Sequence, residues 1–330
     1  MKYAVLSDIH ANLPSLVAVL DDAANQGVNL EDKAVWCLGD VVGYGPHPRE
    51  ALTFLREYAD PRGWVLGNHD AMLADLVDGP ARLGKEDQHT LLLENGAGAE
   101  VTVRGKFLTL DEWRKTTNSP VENIRMNHAA IQEDQELEKY WKKSFTLSRI
   151  GPKDLSRDGL QISIVHASRA VPLSRYQYPW DDRTFLPTDL KLLEEHFPVS
   201  GQPRVQFYGH THVPMLVRAS NAAKVHTFSI CPKKIWPQAT HPLDSEYILI
   251  NPGSVGQPRN LDPRACYCIL DTAERTVTFR RVAYDWQETA HDLQAGRYSP
   301  SLVERLPSAR ADEKITPDDW LDYYREAATK

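Results

Sequence analysis

A chain of 330 residues, 42% of them hydrophobic, is long enough to bury a core of its own without disulfide or structural-metal staples. Its formal net charge of −7, with acidic and basic residues interspersed, argues against a protein that holds nucleic acid by bulk phosphate attraction, so stable nucleic-acid binding is not expected. No stretch approaches the roughly 20 apolar residues of a membrane span, no signal peptide precedes the first strand, and Cys37, Cys231, Cys266 and Cys268 form no C-x2-C pair. Reduced, packed thiols in a cytoplasmic protein without membrane contact are the expectation.

In chain order, Tyr3 to Leu6 reads as a buried strand. Asn12 can cap a helix whose Leu13, Leu16, Val17 and Leu20 share a face, and Gly27 can end it. Ala34 to Leu38 is a second strand, Pro48 to Tyr58 a helix with Ala51, Leu55 and Tyr58 on one stripe, and Trp64 to Leu66 a third strand. This alternation predicts parallel strands with right-handed crossovers, and it puts the loop after each strand on one edge of the sheet.

From 71 to 157 the pattern turns helical, with 80–157 a cap or insertion in which Leu137, Tyr140 and Trp141 form the apolar side of a charged helix. Strands return at Leu160 to Val165 and Val205 to Tyr208, then crowd together from Met215 to Val282, which predicts an antiparallel second sheet. The Pro- and aromatic-rich segments 170–200 and 219–245 read as loop insertions. Residues 286–330 read as two or three amphipathic helices around Leu293, Leu302, Leu306 and Trp320, all within one domain spanning 1–330.

Five short motifs fall at the carboxyl ends of expected strands: Ser7-Asp8-Ile9-His10, Gly39-Asp40, Gly67-Asn68-His69-Asp70, His166, and Gly209-His210-Thr211-His212. Asp8 and His10 alternate across one extended residue, as do His210 and His212, so each pair is expected to point to one side. A set mixing imidazoles, carboxylates and one amide oxygen suits manganese, iron, zinc, cobalt or nickel better than magnesium or calcium. Seven ligands exceed the needs of one ion, and Asp40 can bridge two, which is the donor set of a two-metal hydrolytic site. Each motif alone is weak; their common placement after apolar strands carries the reading.

In this order the motifs resemble the signature of the calcineurin-like metallophosphoesterase superfamily. The runs Leu38-Gly39-Asp40-Val41-Val42-Gly43-Tyr44-Gly45-Pro46 and Asn251-Pro252-Gly253-Ser254-Val255-Gly256-Gln257-Pro258-Arg259 are similar to its compact bacterial and archaeal phosphodiesterase and phosphatase branch. The resemblance implies a four-layer α-β-β-α sandwich of two mixed sheets flanked by helices, with helical and loop insertions. It implies that Asp8, His10 and His212 hold one divalent ion, Asn68, His166 and His210 a second, and that Asp40 bridges them, with manganese the first choice.

His69 corresponds to the histidine that meets the phosphate or protonates the leaving oxygen, with Asp70 as its orienting neighbour or a helix cap. Asn12, Tyr44, Arg169 and Arg259 are the candidate substrate contacts, Asn12 doubling as a cap and Tyr44 as loop packing. The Asp40 block lacks the arginine of D-x-x-D-R-G, which sets protein dephosphorylation aside. The implied reaction is hydrolysis of a small phosphodiester or phosphomonoester, nucleotide-like, by two-metal activation of a bridging hydroxide. A nuclease on larger nucleic acid and a non-catalytic metal-binding scaffold are the alternatives, and a homo-oligomer is compatible with either.

Overall fold

The computed structural model describes residues 1–74, 90–94, 100–104, 119–170, 172–173, 185–198, 201–221, 224–230 and 240–310. Its first run of crossovers follows the expected order: β1 (Lys2–Leu6), α1 (Leu13–Asn25), β2 (Val35–Cys37), α2 (Pro48–Tyr58), β3 (Ala59–Trp64) and a short α3 (Asn68–Leu73). The β4–β5 hairpin (Thr90–Glu94, Glu100–Arg104) comes next, then α4 (Ser119–Gln132), α5 (Gln135–Ser144), β6 (Lys153–Asp154) and β7 (Gln161–Ile164). The chain continues through α6 (Phe185–His196), β8 (Arg204–Phe207), β9 (Met215–Asn221), β10 (Lys224–Ile230), β11 (Thr240–Pro242) and β12 (Tyr247–Asn251). It closes with β13 (Ala265–Asp271), β14 (Thr276–Val282), α7 (Trp286–Ala295) and α8 (Pro300–Ser308).

Two six-stranded mixed sheets result, ordered β11-β14-β13-β1-β2-β3 and β10-β9-β12-β8-β7-β6. Each contains a parallel trio, β1-β2-β3 at one end of the first sheet and β7-β8-β12 in the middle of the second, with antiparallel strands completing the sheet. The expectation that the late strands form a separate antiparallel sheet is corrected. The β13–β14 hairpin extends the first sheet by pairing Val5 with Cys268, whereas β12 runs parallel to β8. Short connections do favour antiparallel neighbours, but they do not say which existing edge a hairpin joins.

Residues of β12 alternate between two cores. Ile248 and Ile250 join Ile162, Ile164, Phe207, Leu6 and Trp36 between the sheets, while Tyr247 and Leu249 face outward onto Leu190 and Leu193 of α6. The period of two with burial on both faces is what a covered sheet requires, and α1, against β13 and β14, covers the other sheet. The layers are therefore helix, sheet, sheet, helix.

Several local expectations shift. On α1 the buried side is Ser15, Leu16, Val19 and Ala23, so the face is rotated and Val17 is 47% exposed. The third strand sits earlier than expected, with Pro61 tolerated because β3 is an edge. Within the expected helical insertion, β4 and β5 form an antiparallel pair, in keeping with Val101, Thr102 and Val103 and the Gly-rich link between them. Segment 170–200 carries α6, and 219–245 carries the end of β9 together with β10 and β11, so neither is simply a loop. Leu293, Leu302 and Leu306 pack together as expected; Cys231 and Trp320 lie outside the described residues. Cys37, Cys266 and Cys268 are buried.

One tertiary clamp ties α1 to the first sheet. Asp22 accepts hydrogen bonds from Tyr267 Oη at 2.6 Å and from Arg280 Nε and Nη2 at 2.9 and 2.6 Å. Burial works to raise its pKa, but these donors outweigh it and hold the carboxyl below its usual range. A depressed carboxylate contributes stability above its unfolded pKa and loses it as pH falls through the folded value. Asp22→Asn is expected to lower the unfolding free energy by about 1–2 kcal/mol at neutral pH. In denaturant titrations the gap from the parent should shrink on acidification, and a gap that stayed constant to low pH would contradict this assignment.

Candidate metal centre

The loops that follow β1, β2, β3, β7 and β8 all open at the carboxyl ends of the two parallel trios, where ligand sites of open parallel sheets form. Backbone bonds stitch them together: Asp8 N donates to Gly39 O, His10 N to Asp40 O, and Gly209 N to His166 O. Two groups of potential ligand atoms result, Asp8, His10, Asp40 and His212 in one, and Asp40, His166 and His210 in the other. All six residues are at most 5% exposed. Asn68 joins the second group, with its Oδ1 3.2 Å from His166 Nε2.

The expected route to this convergence is corrected. Asp8, His10, Asp40, His210 and His212 all have positive φ, between 49 and 65°, so the D-x-H and H-x-H pairs do not alternate along extended chain. Each pair instead curls through left-handed backbone, which Asp and His tolerate better than most residues and which concentrates at functional sites. Two glycines permit the crowding. A Cβ on Gly67 would lie 2.0 Å from Asp40 Oδ1, and one on Gly209 would lie 1.8 Å from Ser7 Oγ.

The hydrogen-bond pattern decides what the cluster can hold. His10 Nδ1 lies 3.1 Å from Val42 O, His166 Nδ1 2.8 Å from Leu38 O, and His212 Nδ1 2.6 Å from Gln257 O. A carbonyl only accepts, so each Nδ1 carries the proton and each Nε2 presents a lone pair. Those lone pairs face other acceptors. His10 Nε2 is 3.2 Å from His212 Nε2, His212 Nε2 is 3.2 Å from Asp8 Oδ1, and His166 Nε2 is 3.2 Å from Asn68 Oδ1. Asp40 Oδ2 lies between the groups, 3.7 Å from His10 Nε2 and 3.5 Å from His166 Nε2.

Buried acceptors aimed at acceptors are costly unless a cation sits among them. Burial first, then neighbouring positive charge, lowers the pKa values of His10 and His210; burial also lowers those of His166 and His212. The imidazoles are therefore neutral and fit to ligate. Burial, reinforced by Asp8 and Asp70, pushes Asp40 up. Burial also acts to raise Asp8, but the nearby histidines, His212 foremost, bring it down. The donor set fits divalent transition-metal ions by its chemistry.

The remaining predicted residues divide. His69 lies against this cluster, its ring centroid 4.8 Å from that of His10 and 4.5 Å from that of Tyr44, with its backbone N–H donating to Asp40 Oδ1 at 2.9 Å. Burial, then the charges of His212 and Arg259, lower its pKa to about 3. Arg259 is near enough that its charge also acts on His10, His210 and His212.

Asp70 does not orient His69. Its carboxylate accepts from Val41 N, Val42 N and Gly67 N, bracing the Asp40 loop, and burial raises its pKa to about 7. Asn12 is occupied as a cap, accepting from Ser15 N and Thr289 Oγ1 and donating to Gly256 O and Tyr284 Oη. Tyr44 packs between His10 and Ala290, Leu293, Leu302 and Leu306. Arg169 points to the far face of the second sheet, donating to Ser163 Oγ at 2.7 Å. Asn12, Asp70 and Arg169 direct these polar contacts to the loops and the sheet rather than to the cluster.

Sequence reasoning missed the supporting residues. Ser7 Oγ donates to Asp8 Oδ2 at 2.6 Å, leaving Oδ1 for the cluster. Ser254 Oγ donates to Asp8 O and accepts from Gln257 N, joining the loop after β12 to the first ligand. Both sit inside runs already singled out, but nothing in a lone serine declares its partner.

A family model described as calcineurin-like phosphoesterase matches residues 1–214, the stretch from the first strand through His212. The chain belongs to the calcineurin-like phosphoesterase family. It is accordingly a hydrolase of phosphoric esters. An uncharacterised protein from Methanocaldococcus jannaschii is 30% identical over 309 residues, taking in 92% of this chain and 96% of that one. A symmetrical bis(5'-nucleosyl)-tetraphosphatase from Cronobacter sakazakii is 31% identical over 134 residues, 40% of this chain and 44% of the relative. Among solved structures, a metallophosphoesterase from Sphaerobacter thermophilus superposes with a TM-score of 0.63 at 29% identity, covering 94% of this chain and 99% of that chain. A hypothetical protein from Pyrococcus horikoshii has the same fold at 15% identity, with a TM-score of 0.61 over 94% of this chain and 99% of its own. No helix among the described residues is long and apolar enough to cross a membrane.

Proposed function

We propose that the chain, folded as one domain, hydrolyses a small, nucleotide-like phosphodiester or phosphomonoester at a dinuclear site. Asp8, His10, Asp40 and His212 would hold one divalent ion, Asp40, Asn68, His166 and His210 the other, with manganese the first choice. The observation that carries this is the convergence of neutral imidazole nitrogens and buried carboxylate oxygens at 3.2–3.7 Å, with the ring protons of His10, His166 and His212 committed to backbone carbonyls. Bound ions of this kind supply Lewis acidity and make water acidic enough to ionise near pH ~7.

The protein's own groups do the rest. Backbone carbonyls at Val42, Leu38 and Gln257 fix the tautomers of three histidines, so their lone pairs stay aimed inward. His69, held neutral by its burial, would donate a ring N–H hydrogen bond to a phosphoryl oxygen as charge builds there. Arg259 brings positive charge to the same side, matched to a phosphate oxygen. The tetraphosphatase relative makes dinucleoside polyphosphates natural members of a substrate screen, beside cyclic nucleotides and sugar phosphates.

The test is a panel of these substrates with model diesters and monoesters, run on protein stripped of metal and reconstituted with manganese, and repeated with Asp40→Asn as blank. Turnover of at least one substrate class by the reconstituted parent alone is the expected outcome. Equal turnover with and without metal would remove the dinuclear reading.

A further inference from the structure

The loop that walls the site on one side, Gly43-Tyr44-Gly45, is a tight turn in which Gly45 N donates to Gly43 O at 2.6 Å and to His10 O at 3.0 Å. Gly43 has φ +91° and Tyr44 φ +55°, two successive left-handed residues. The loop matters because it touches His69: a Cβ on Gly43 would lie 2.2 Å from His69 Nδ1, and the Tyr44 ring lies 4.5 Å from the His69 ring. The bare backbone of Gly43 and the Tyr44 ring together define where His69 can sit.

A side chain from more than eighty residues further along grips this loop. Asn127, on α4, accepts from Gly43 N at 2.7 Å through Oδ1 and donates from Nδ2 to Gly45 O at 3.0 Å and Tyr298 Oη at 3.3 Å. The amide orientation is forced, because Gly43 N only donates and Gly45 O only accepts. Asn127 is fully buried. Asn is a poor choice for a helix interior by propensity and by burial, and this one is fully spent on the loop. An apolar residue there would leave Gly43 N–H and Gly45 C=O without that partner. Helix α4 also lies against α2 and α3, the helix that begins at Asn68 and carries His69.

We propose that Asn127 is a positioning residue of the hydrolytic site, bracing the Gly43–Gly45 loop so that it fixes the ring of His69. The insertion thereby becomes part of the active-site architecture. This rests on the role proposed for His69, and the experiment separates the two.

Asn127→Ala, Asn127→Asp, His69→Ala and the Asn127→Ala/His69→Ala pair are compared as full-length, manganese-reconstituted enzymes on bis(p-nitrophenyl) phosphate. Metal per chain, thermal midpoint, kcat and KM are read for each. Asn127→Ala is expected to keep its metal content and its KM within about twofold while kcat falls about tenfold or more, as misplacement of a reacting group does. The double variant should be no slower than His69→Ala alone, because a brace is worth nothing once the braced ring is gone. If Asn127→Ala does not fold, Asn127→Asp, the same size but without the donor to Gly45, carries the same cycle in combination with His69→Ala.

Losses that multiply in the double variant, or an unchanged kcat in both Asn127 variants, would overturn the proposal. If His69→Ala retains parental kcat, the role of His69 fails first and the brace has nothing to position; if His69→Ala is slow and the Asn127 variants are not, only the brace fails.

Discussion

Asp40→Asn is expected to abolish hydrolysis, by at least about a hundredfold, and to strip most of the metal. Altering groups outside the ligand shell costs about 10–100-fold in metalloenzymes, and Asp40 belongs to both groups of potential ligands. Its Oδ2 stands between His10 and His166, while Oδ1 is held by the backbone of His69. Asn keeps the shape but removes the charge and aims an N–H at imidazole lone pairs. The same exchange predicts an opposite effect on stability. Burial and the neighbouring carboxylates Asp8 and Asp70 make an ionised Asp40 costly without a cation, so the metal-free variant should unfold at a temperature no lower than the metal-free parent. Loss of activity and metal with no loss of apo stability identifies a ligand; loss of all three would identify a structural residue.

His69→Ala is expected to behave differently. His69 contributes no atom to either group of potential ligands, so metal content should stay near that of the parent. Its backbone N–H, which holds Asp40, survives the substitution. Removing a positioned hydrogen-bond donor to the developing oxyanion costs about 10²–10³ in rate, and kcat should fall in that range on the substrate found in the screen. A rate within twofold of the parent would end the role given to this ring.

How much of this was legible beforehand can be argued residue by residue. The motif positions were legible because apolar runs mark strands, and loops after parallel strands gather at one edge. His166 shows the strength of that logic: a single histidine, uninformative alone, was placed by the strand before it. The geometry of the pairs was not legible, because Asp8 and His10 meet through left-handed backbone, and a sequence does not announce positive φ outside glycine. Nor was the partition of late strands, since β13 pairs with β1 from the other end of the chain.

The candidate substrate residues fared according to how much depends on side-chain direction. Arg169 follows His166 by three residues, yet it turns to Ser163 on the opposite face of the sheet. Asn12 and Asp70 are polar residues near ligands, and both are consumed by the protein's own groups, Asp70 by backbone N–H groups and Asn12 by backbone and side chains together. Buried polar side chains near a site have two possible employers, the loop and the substrate, and only coordinates tell which. Asn127 is the converse case. It sits in a helix with no motif around it, and its significance lies in two glycines, one of which, Gly43, touches His69.

The most direct test is anomalous diffraction from crystals of the full chain grown with manganese. Two peaks are expected about 3.5–4 Å apart, one among Asp8, His10, Asp40 and His212, the other among Asp40, Asn68, His166 and His210, with the Asp40 carboxylate touching both. Peaks elsewhere, or a single peak out of reach of Asp40, would contradict the account.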